Sequence, residues 1–171
     1  MPVTSADIKY RYSGGASNAL ATASLGGVRS SVDIPTGAQN LFDDVAPAEA
    51  TSGDTEYRCF YVFNNSGADT INTCKLWMAG DTPSAETIAA LGLDPAGIGN
   101  GTSTGVAATV ANEGTAPVGV TFVNATSEGA ALALGNLGPG QGIGVWMRRI
   151  VSAGATAYAS DGATLQFKGT P

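Results

Sequence analysis

Histidine is absent from this 171-residue chain. Imidazole is the commonest general base near neutral pH and the commonest metal ligand, so its absence excludes most hydrolase designs. A serine–lysine pair would need a buried lysine, and Lys9, Lys75 and Lys168 lie in no motif that indicates one. The sequence therefore predicts a protein that is not an enzyme and that holds no cofactor or metal.

Charged residues are scarce, at 13% of the chain, with 14 acids against 8 bases. Binding to phosphate backbones needs clustered lysine and arginine, and Arg148-Arg149 is the one adjacent basic pair in the sequence. Nucleic acid is therefore excluded as an expected partner. The low charge leaves two interpretations open, a surface of small neutral residues or burial against other subunits.

Long apolar runs are also missing. Residues 1–7 contain no apolar segment typical of a signal peptide, and no run approaches the roughly 20 residues that span a bilayer. We expect no membrane partner and synthesis in a cytoplasm.

Turn residues are abundant, with 24 glycines and 8 prolines among many Ser, Thr and Asn. They punctuate the chain with turns every ten residues or so, which favours many short strands over long helices. The predicted fold is all-β, a single β-sandwich of about eight to ten short antiparallel strands. The predicted strands cover 7–12, 56–63, 70–79, 106–111, 118–123, 130–134, 142–151 and 163–168, with a short one at 28–34.

The stretch 82–93 fits two structures. Thr82 and Pro83 stand where a helix could begin, whereas Thr87, Ala89 and Leu91 would share one face of a strand. We favour the strand, followed by a loop over 94–105.

The chain divides by composition at about residue 55. Residues 1–55 are predicted to hold one strand and then a long, weakly structured segment of extended arm or loops, and residues 56–171 to form the sandwich body. The N-terminal segment has too few apolar residues to form a core alone. We therefore expect the whole chain to be one structural domain.

Cys59 and Cys74 fall on the two strands of a predicted hairpin over 56–79. They form a possible cross-strand thiol pair. Synthesis in a cytoplasm favours free buried thiols over a disulfide formed later, and a reactive nucleophile is the least favoured interpretation.

Carboxylates concentrate at Asp43, Asp44, Glu49, Asp54 and Glu56. They could act as paired acids or collect Ca²⁺, but the spacing lacks the carboxylate ladder and central glycine of a calcium loop. A solvated acidic loop or an interface patch is the favoured interpretation.

Trp77 and Trp146 could line a platform for a sugar. Each lies inside an apolar strand, which favours core packing.

Several stretches resemble virion structural proteins of tailed bacteriophages. The resemblance runs over nearly the whole chain, and its stretches carry no known chemistry. They are 12–18 (YSGGASN), 24–27 (SLGG), 40–45 (NLFDDV), 53–59 (GDTEYRC), 116–122 (APVGVTF) and 145–149 (VWMRR).

The resemblance implies a capsid decoration, or cement, protein that binds the outside of the major capsid shell. It implies location on the exterior of the virion after synthesis in the bacterial host, and homo-oligomers, with a trimer favoured.

Residues 8–45 are the expected contact segment with capsid or neighbouring subunits, and each apolar anchor would contribute roughly 1.5 to 3 kcal/mol if fully covered. The alternative is that these anchors fold back onto their own domain. The expected contact residues are Tyr10, Tyr12, Leu20, Leu25, Leu41 and Phe42.

Two other functions stay open. One is a tail, baseplate or head-fibre component with the same fold. The other is a carbohydrate-binding module that contacts the host surface and exposes Trp77 or Trp146.

Overall fold

The structure is a computed structural model that describes residues 4–37, 39–158 and 161–171. Within these residues the chain is mostly β, with few helical residues. The strands are β1 (Ile8–Tyr12), β2 (Asp54–Asn64), β3 (Ile71–Met78), β4 (Thr87–Gly99), β5 (Leu132–Leu137), β6 (Gly142–Val151) and β7 (Leu165–Thr170). The helical segments are α1 (Pro47–Ser52) and 3₁₀ turns at Ser5–Asp7, Ala21–Ala23 and Glu128–Ala130.

The strands form two antiparallel sheets, one with the order β1-β2-β6-β4 and one with the order β5-β3-β7. These sheets confirm the all-β prediction.

The centre of the four-stranded sheet is the pair β2–β6. Cys59 lies opposite Trp146 and Phe60 lies opposite Val145, and all four side chains are fully buried. Successive strand residues point to opposite faces, so burial at consecutive positions means that both faces of this pair are covered.

One face contributes to the main core, which takes side chains from both sheets. Phe60, Val145 and Leu91 of the four-stranded sheet share this hydrophobic cluster with Leu76 and Leu137 of the three-stranded sheet.

The other face is covered by loops. Leu25, Ala107, Val110 and Phe122 cluster there with Trp146 and its neighbours on β2. The loop that contains Val120 approaches β4 so closely that a Cβ at Gly92 would lie 2.5 Å from Val120 Cγ1. Residue 92 must therefore be a glycine for this cover to form.

Buried polar side chains tie the loops to this face. The hydroxyl of Tyr61 donates to the Gly27 carbonyl and accepts from the Ala107 N–H, both at 2.8 Å. Burial raises the pKa of Tyr61 to about 12. The Asp94 carboxylate accepts from Trp146 Nε1 at 2.8 Å and from the Ala108 N–H of the covering loop at 3.2 Å.

Both edges of the four-stranded sheet pair with the chain's own loops. Tyr12 donates its N–H to the Val32 carbonyl at the β1 edge. Leu91 exchanges two backbone hydrogen bonds of 2.9 Å with Val123 at the β4 edge.

The predicted hairpin over 56–79 is wrong. β2 and β3 belong to different sheets, so the turn after Asn64 carries the chain from one sheet to the other. Asn64 organises this crossing, because its side-chain amide donates to the carbonyls of Asp69 and Leu137 at 2.8 Å.

Three further predictions of local structure are wrong and one is confirmed. The segments 28–34, 106–111 and 118–123 form isolated bridges in place of strands, because they cover other strands with their side chains. The strand favoured over a helix at 82–93 is confirmed as β4. It continues through much of the predicted loop to Gly99, with an irregularity between Leu93 and Ile98.

The weakly structured N-terminal segment is not confirmed. It contains few strand residues but is bonded to the body: Cys59 donates its N–H to the Ser24 carbonyl, and Arg29 donates to Gly101. α1 begins with Pro47 at its first position, and Glu49 accepts from the Ala46 N–H.

Replacing Tyr61 with Phe should lower the free energy of unfolding by about 1 to 3 kcal/mol, because the Ala107 N–H and the Gly27 carbonyl lose a buried partner. Urea unfolding followed by circular dichroism measures this change. The control is Tyr158→Phe at an exposed position, which should leave the unfolding midpoint unchanged. Equal stability of Tyr61→Phe and the wild type would contradict a structural role for the hydroxyl.

Candidate interaction surface

A buried ion network lies at one end of the four-stranded sheet. Glu56 and Arg58 on β2 are 2% and 0% exposed. Arg149 Nε on β6 donates to Glu56 Oε2 at 2.6 Å, and Arg58 pairs with Glu113. Burial raises the pKa of Glu56, and the adjacent Arg149 opposes that shift.

This network holds the segment around Phe42 on the sheet. The guanidinium of Arg149 lies 5.0 Å from the Phe42 ring centroid, and that of Arg58 lies 5.7 Å from it. Arg149 Nη1 also donates to the Asp43 carbonyl at 2.5 Å. The network therefore serves to attach this segment.

Three of the clustered acids lie together. Carboxylate oxygens of Glu49, Asp54 and Glu56 approach within 4.8 Å of one another. Two of these groups already have partners in the chain, since Glu56 pairs with Arg149 and Glu49 accepts from the Ala46 N–H. The cation hypothesis for this group stays untested.

The two cysteines are buried and free. Cys59 lies in the loop-covered cluster, and Cys74 lies in the main core. The structure does not bring them together, because Cys59 lies on the face of its sheet that is turned away from the main core. Burial raises the pKa of both thiols.

The two tryptophans differ in exposure. Trp146 is fully buried and donates its indole N–H to Asp94. Trp77 is half-buried on β3, where the neighbouring positions Leu76 and Met78 are fully buried.

Most of the six expected contact residues pack against their own domain. Tyr12 is 4% exposed, and its hydroxyl donates to the Asn40 carbonyl at 3.1 Å. Tyr10, Leu41 and Phe42 pack against the main core, and Leu25 packs against the loop-covered cluster. Leu20 differs from the others, at 63% exposed.

The loop that presents Leu20 is fastened at several points. Asn18 Nδ2 donates to the carbonyls of Ser13 and Leu20, and the Leu20 N–H donates back to Asn18 Oδ1 at 2.9 Å. The Ser24 hydroxyl donates to the Leu20 carbonyl, and the Ser24 carbonyl accepts from the Cys59 N–H. An apolar side chain therefore projects from a loop that is bonded to a central strand.

Other large apolar side chains are exposed that the sequence analysis did not single out. They include Ile88 at 42% and Val118 at 86%. A signal for Ile88 was present, since a strand that buries Thr87, Ala89 and Leu91 directs Ile88 to the opposite face.

In the part of the chain that the structure describes, no helix has the length and apolar character to cross a membrane. No family model, curated protein or solved structure matches the chain.

Both thiols should resist a thiol reagent in the folded protein, because burial shields them and disfavours the thiolate. We expect almost no reaction with Ellman's reagent in native buffer and two thiols per chain in guanidinium without reductant. Fewer than two thiols in guanidinium would contradict the free state of the cysteines. Rapid reaction in native buffer would contradict their burial.

Proposed function

We propose that this chain is a non-enzymatic structural protein of a tailed-phage virion, a decoration protein that binds the outer surface of the major capsid shell. Its place is the capsid exterior, after synthesis in the bacterial host. The resemblance of the chain to phage virion proteins supports this lineage.

The observation that carries the proposal is the rigid presentation of Leu20. Single apolar side chains are commonly exposed on proteins, and Val118 is still more exposed than Leu20, so exposure alone does not mark a contact. Leu20 is distinguished by the loop that holds it, and covering its 63% exposed side chain with a partner removes apolar surface from water. The hydrogen bonds of Asn18 and Ser24 fix its position before binding, which reduces the entropy lost on association. We assign the capsid contact to this loop and not to a free arm.

The buried ionisable groups support a structural role. Glu56 and Arg58 pair with Arg149 and Glu113, and Asp94 accepts from Trp146. Each of these groups is therefore engaged by an ion pair or a hydrogen bond within the chain.

The two sheets support a sandwich architecture for this domain, because one hydrophobic cluster takes side chains from both of them. A rigid sandwich suits a protein whose role is to hold loops in fixed positions on a shell.

A tail, baseplate or head-fibre position would use the same fold and the same loop with a different partner. Carbohydrate binding is the other candidate function. A sugar site would use Trp77, which is half-buried, and not Trp146, which is fully buried. Glycan-array binding that is lost in Trp77→Ala would establish that function.

Replacing Leu20 with Asp should weaken binding to undecorated, expanded shells of the phage that carries this chain by about tenfold or more, since about 1.4 kcal/mol corresponds to tenfold. Co-sedimentation of the protein with shells, at several protein concentrations, measures occupancy. The fold should be unchanged, because Leu20 lies outside both hydrophobic clusters.

Val118→Asp is the matched control, because Val118 is still more exposed, at 86%, and lies in a different loop. It should bind shells as the wild type does. Wild-type occupancy by Leu20→Asp would overturn the assignment of this loop. A wild-type protein that does not bind shells would overturn the decoration function.

A further inference from the structure

An apolar pair that is open to solvent lies at the β4 side of the four-stranded sheet. Ile88 on β4 and Ile150 on β6 are direct cross-strand neighbours. Ile88 is 42% exposed and Ile150 is half-buried. Both belong to the sheet face that the loops cover farther along, where Gly92 lies opposite Trp146.

A cation without a counter-ion lies one row from this pair. Arg148 is opposite Ala90 on β4 and Tyr57 on β2, two residues from Ile150. Its guanidinium lies 5.0 Å from the Phe122 ring centroid, and its Nε is buried without a hydrogen-bond partner. Among the described residues, none of the ion pairs includes Arg148.

An acid lies one row away on the other side of the pair. Glu86 is two residues before Ile88, and its carbonyl accepts from the Ser152 N–H at 2.8 Å, which continues the β4–β6 pairing. Its Oε2 accepts from the N–H and the hydroxyl of Thr156. By strand alternation Ile88 and Arg148 share one face. Glu86 lies in the turn one residue before β4, and its backbone bond to Ser152 continues the β4–β6 register, so Glu86 is in line with them. The isoleucines therefore lie between the two charged residues.

The line formed by Glu86, the two isoleucines and Arg148 is complementary to a second copy of itself. In a twofold contact the same patch meets its own copy in the reverse direction. A twofold axis through the Ile88–Ile150 pair would set Glu86 of each copy near Arg148 of the other. The dimer would therefore contain two Glu86–Arg148 pairs. Strand residues two apart are separated by about 6.6 to 6.8 Å, so both charges lie about one row from the axis.

We propose that this patch, formed by Glu86, Ile88, Arg148 and Ile150, is a twofold contact between two copies of the chain. The isoleucines cover each other, and each Arg148 gains the carboxylate that it lacks within its own chain. Phe122 flanks the guanidinium on one side. This twofold contact differs from the trimer that the phage resemblance implies, and it does not depend on capsid binding.

Analytical ultracentrifugation of the free protein over a wide concentration range tests the proposal. The wild type should form a reversible dimer, and Ile88→Asp should sediment as a monomer. Arg148→Glu and Glu86→Lys should each weaken dimerisation by about tenfold or more, because each places like charges together at the contact.

The double variant Arg148→Glu/Glu86→Lys reverses both charges and should restore dimerisation to within a few-fold of the wild type. Restoration distinguishes reciprocal pairing from general damage to the surface. Glu86→Gln adds a milder test, because its amide oxygen still accepts from Thr156 while the charge is lost. It should weaken the dimer less than Glu86→Lys does.

Leu20→Asp is the control and should dimerise as the wild type does, while Ile88→Asp should retain its cooperative thermal unfolding. A wild type that stays monomeric at every concentration would overturn the proposal, and so would a double variant that is no better than the single ones. An oligomer that Ile88→Asp does not disrupt would place the contact elsewhere. None of these results bears on the binding of Leu20 to shells, so the two proposals fail separately.

Discussion

Burial of the β2–β6 strand pair on both faces is the constraint on which the rest of the structure depends. The apolar run of β2 has large side chains at consecutive positions, so it cannot leave either face in water. The three-stranded sheet contributes to the cluster on one face. The other face has no second sheet among the described residues, and loops around Leu25, Val110 and Phe122 cover it. Loops that are otherwise polar and rich in glycine therefore become part of the core.

Loops in that position bring backbone polar groups into a buried layer, and those groups need partners. Tyr61 bridges Gly27 and Ala107, and Asp94 joins Trp146 to the backbone N–H of Ala108 in the covering loop. The buried charges at Glu56 and Arg58 alternate with the loop-facing residues along β2, and they pair with Arg149 and Glu113 beside the Phe42 segment. The fixed position of Leu20 follows, since its loop is bonded to β2 through Ser24. The surface proposed for capsid binding is thus a consequence of how the core is closed.

Sequence reasoning succeeded where side-chain pattern decides structure. Apolar residues on both faces of 56–63 predicted a central strand, and alternation favoured strand over helix at Thr87 to Leu91. It failed where pairing depends on distant parts of the chain. Turn residues after Asn64 show that the chain turns, but not that β3 joins another sheet. Apolar residues in a polar segment, such as Leu25 and Phe42, do not reveal whether they cover their own domain or a partner. The helix α1 was not predicted, although Pro47 and Glu49 at its start are residues that typically begin a helix.

Amide hydrogen exchange tests most directly whether the loop layer belongs to the core. The N–H groups of Gly27, Arg29 and Val110 donate to carbonyls within this layer. They should exchange slowly, at rates close to those of Tyr61 and Val145 in the central strands, whereas exposed positions such as Val118 should exchange fast. Fast exchange of Gly27, Arg29 and Val110 beside slow exchange in β2 and β6 would show that the loops open independently of the sheet, and would contradict this account.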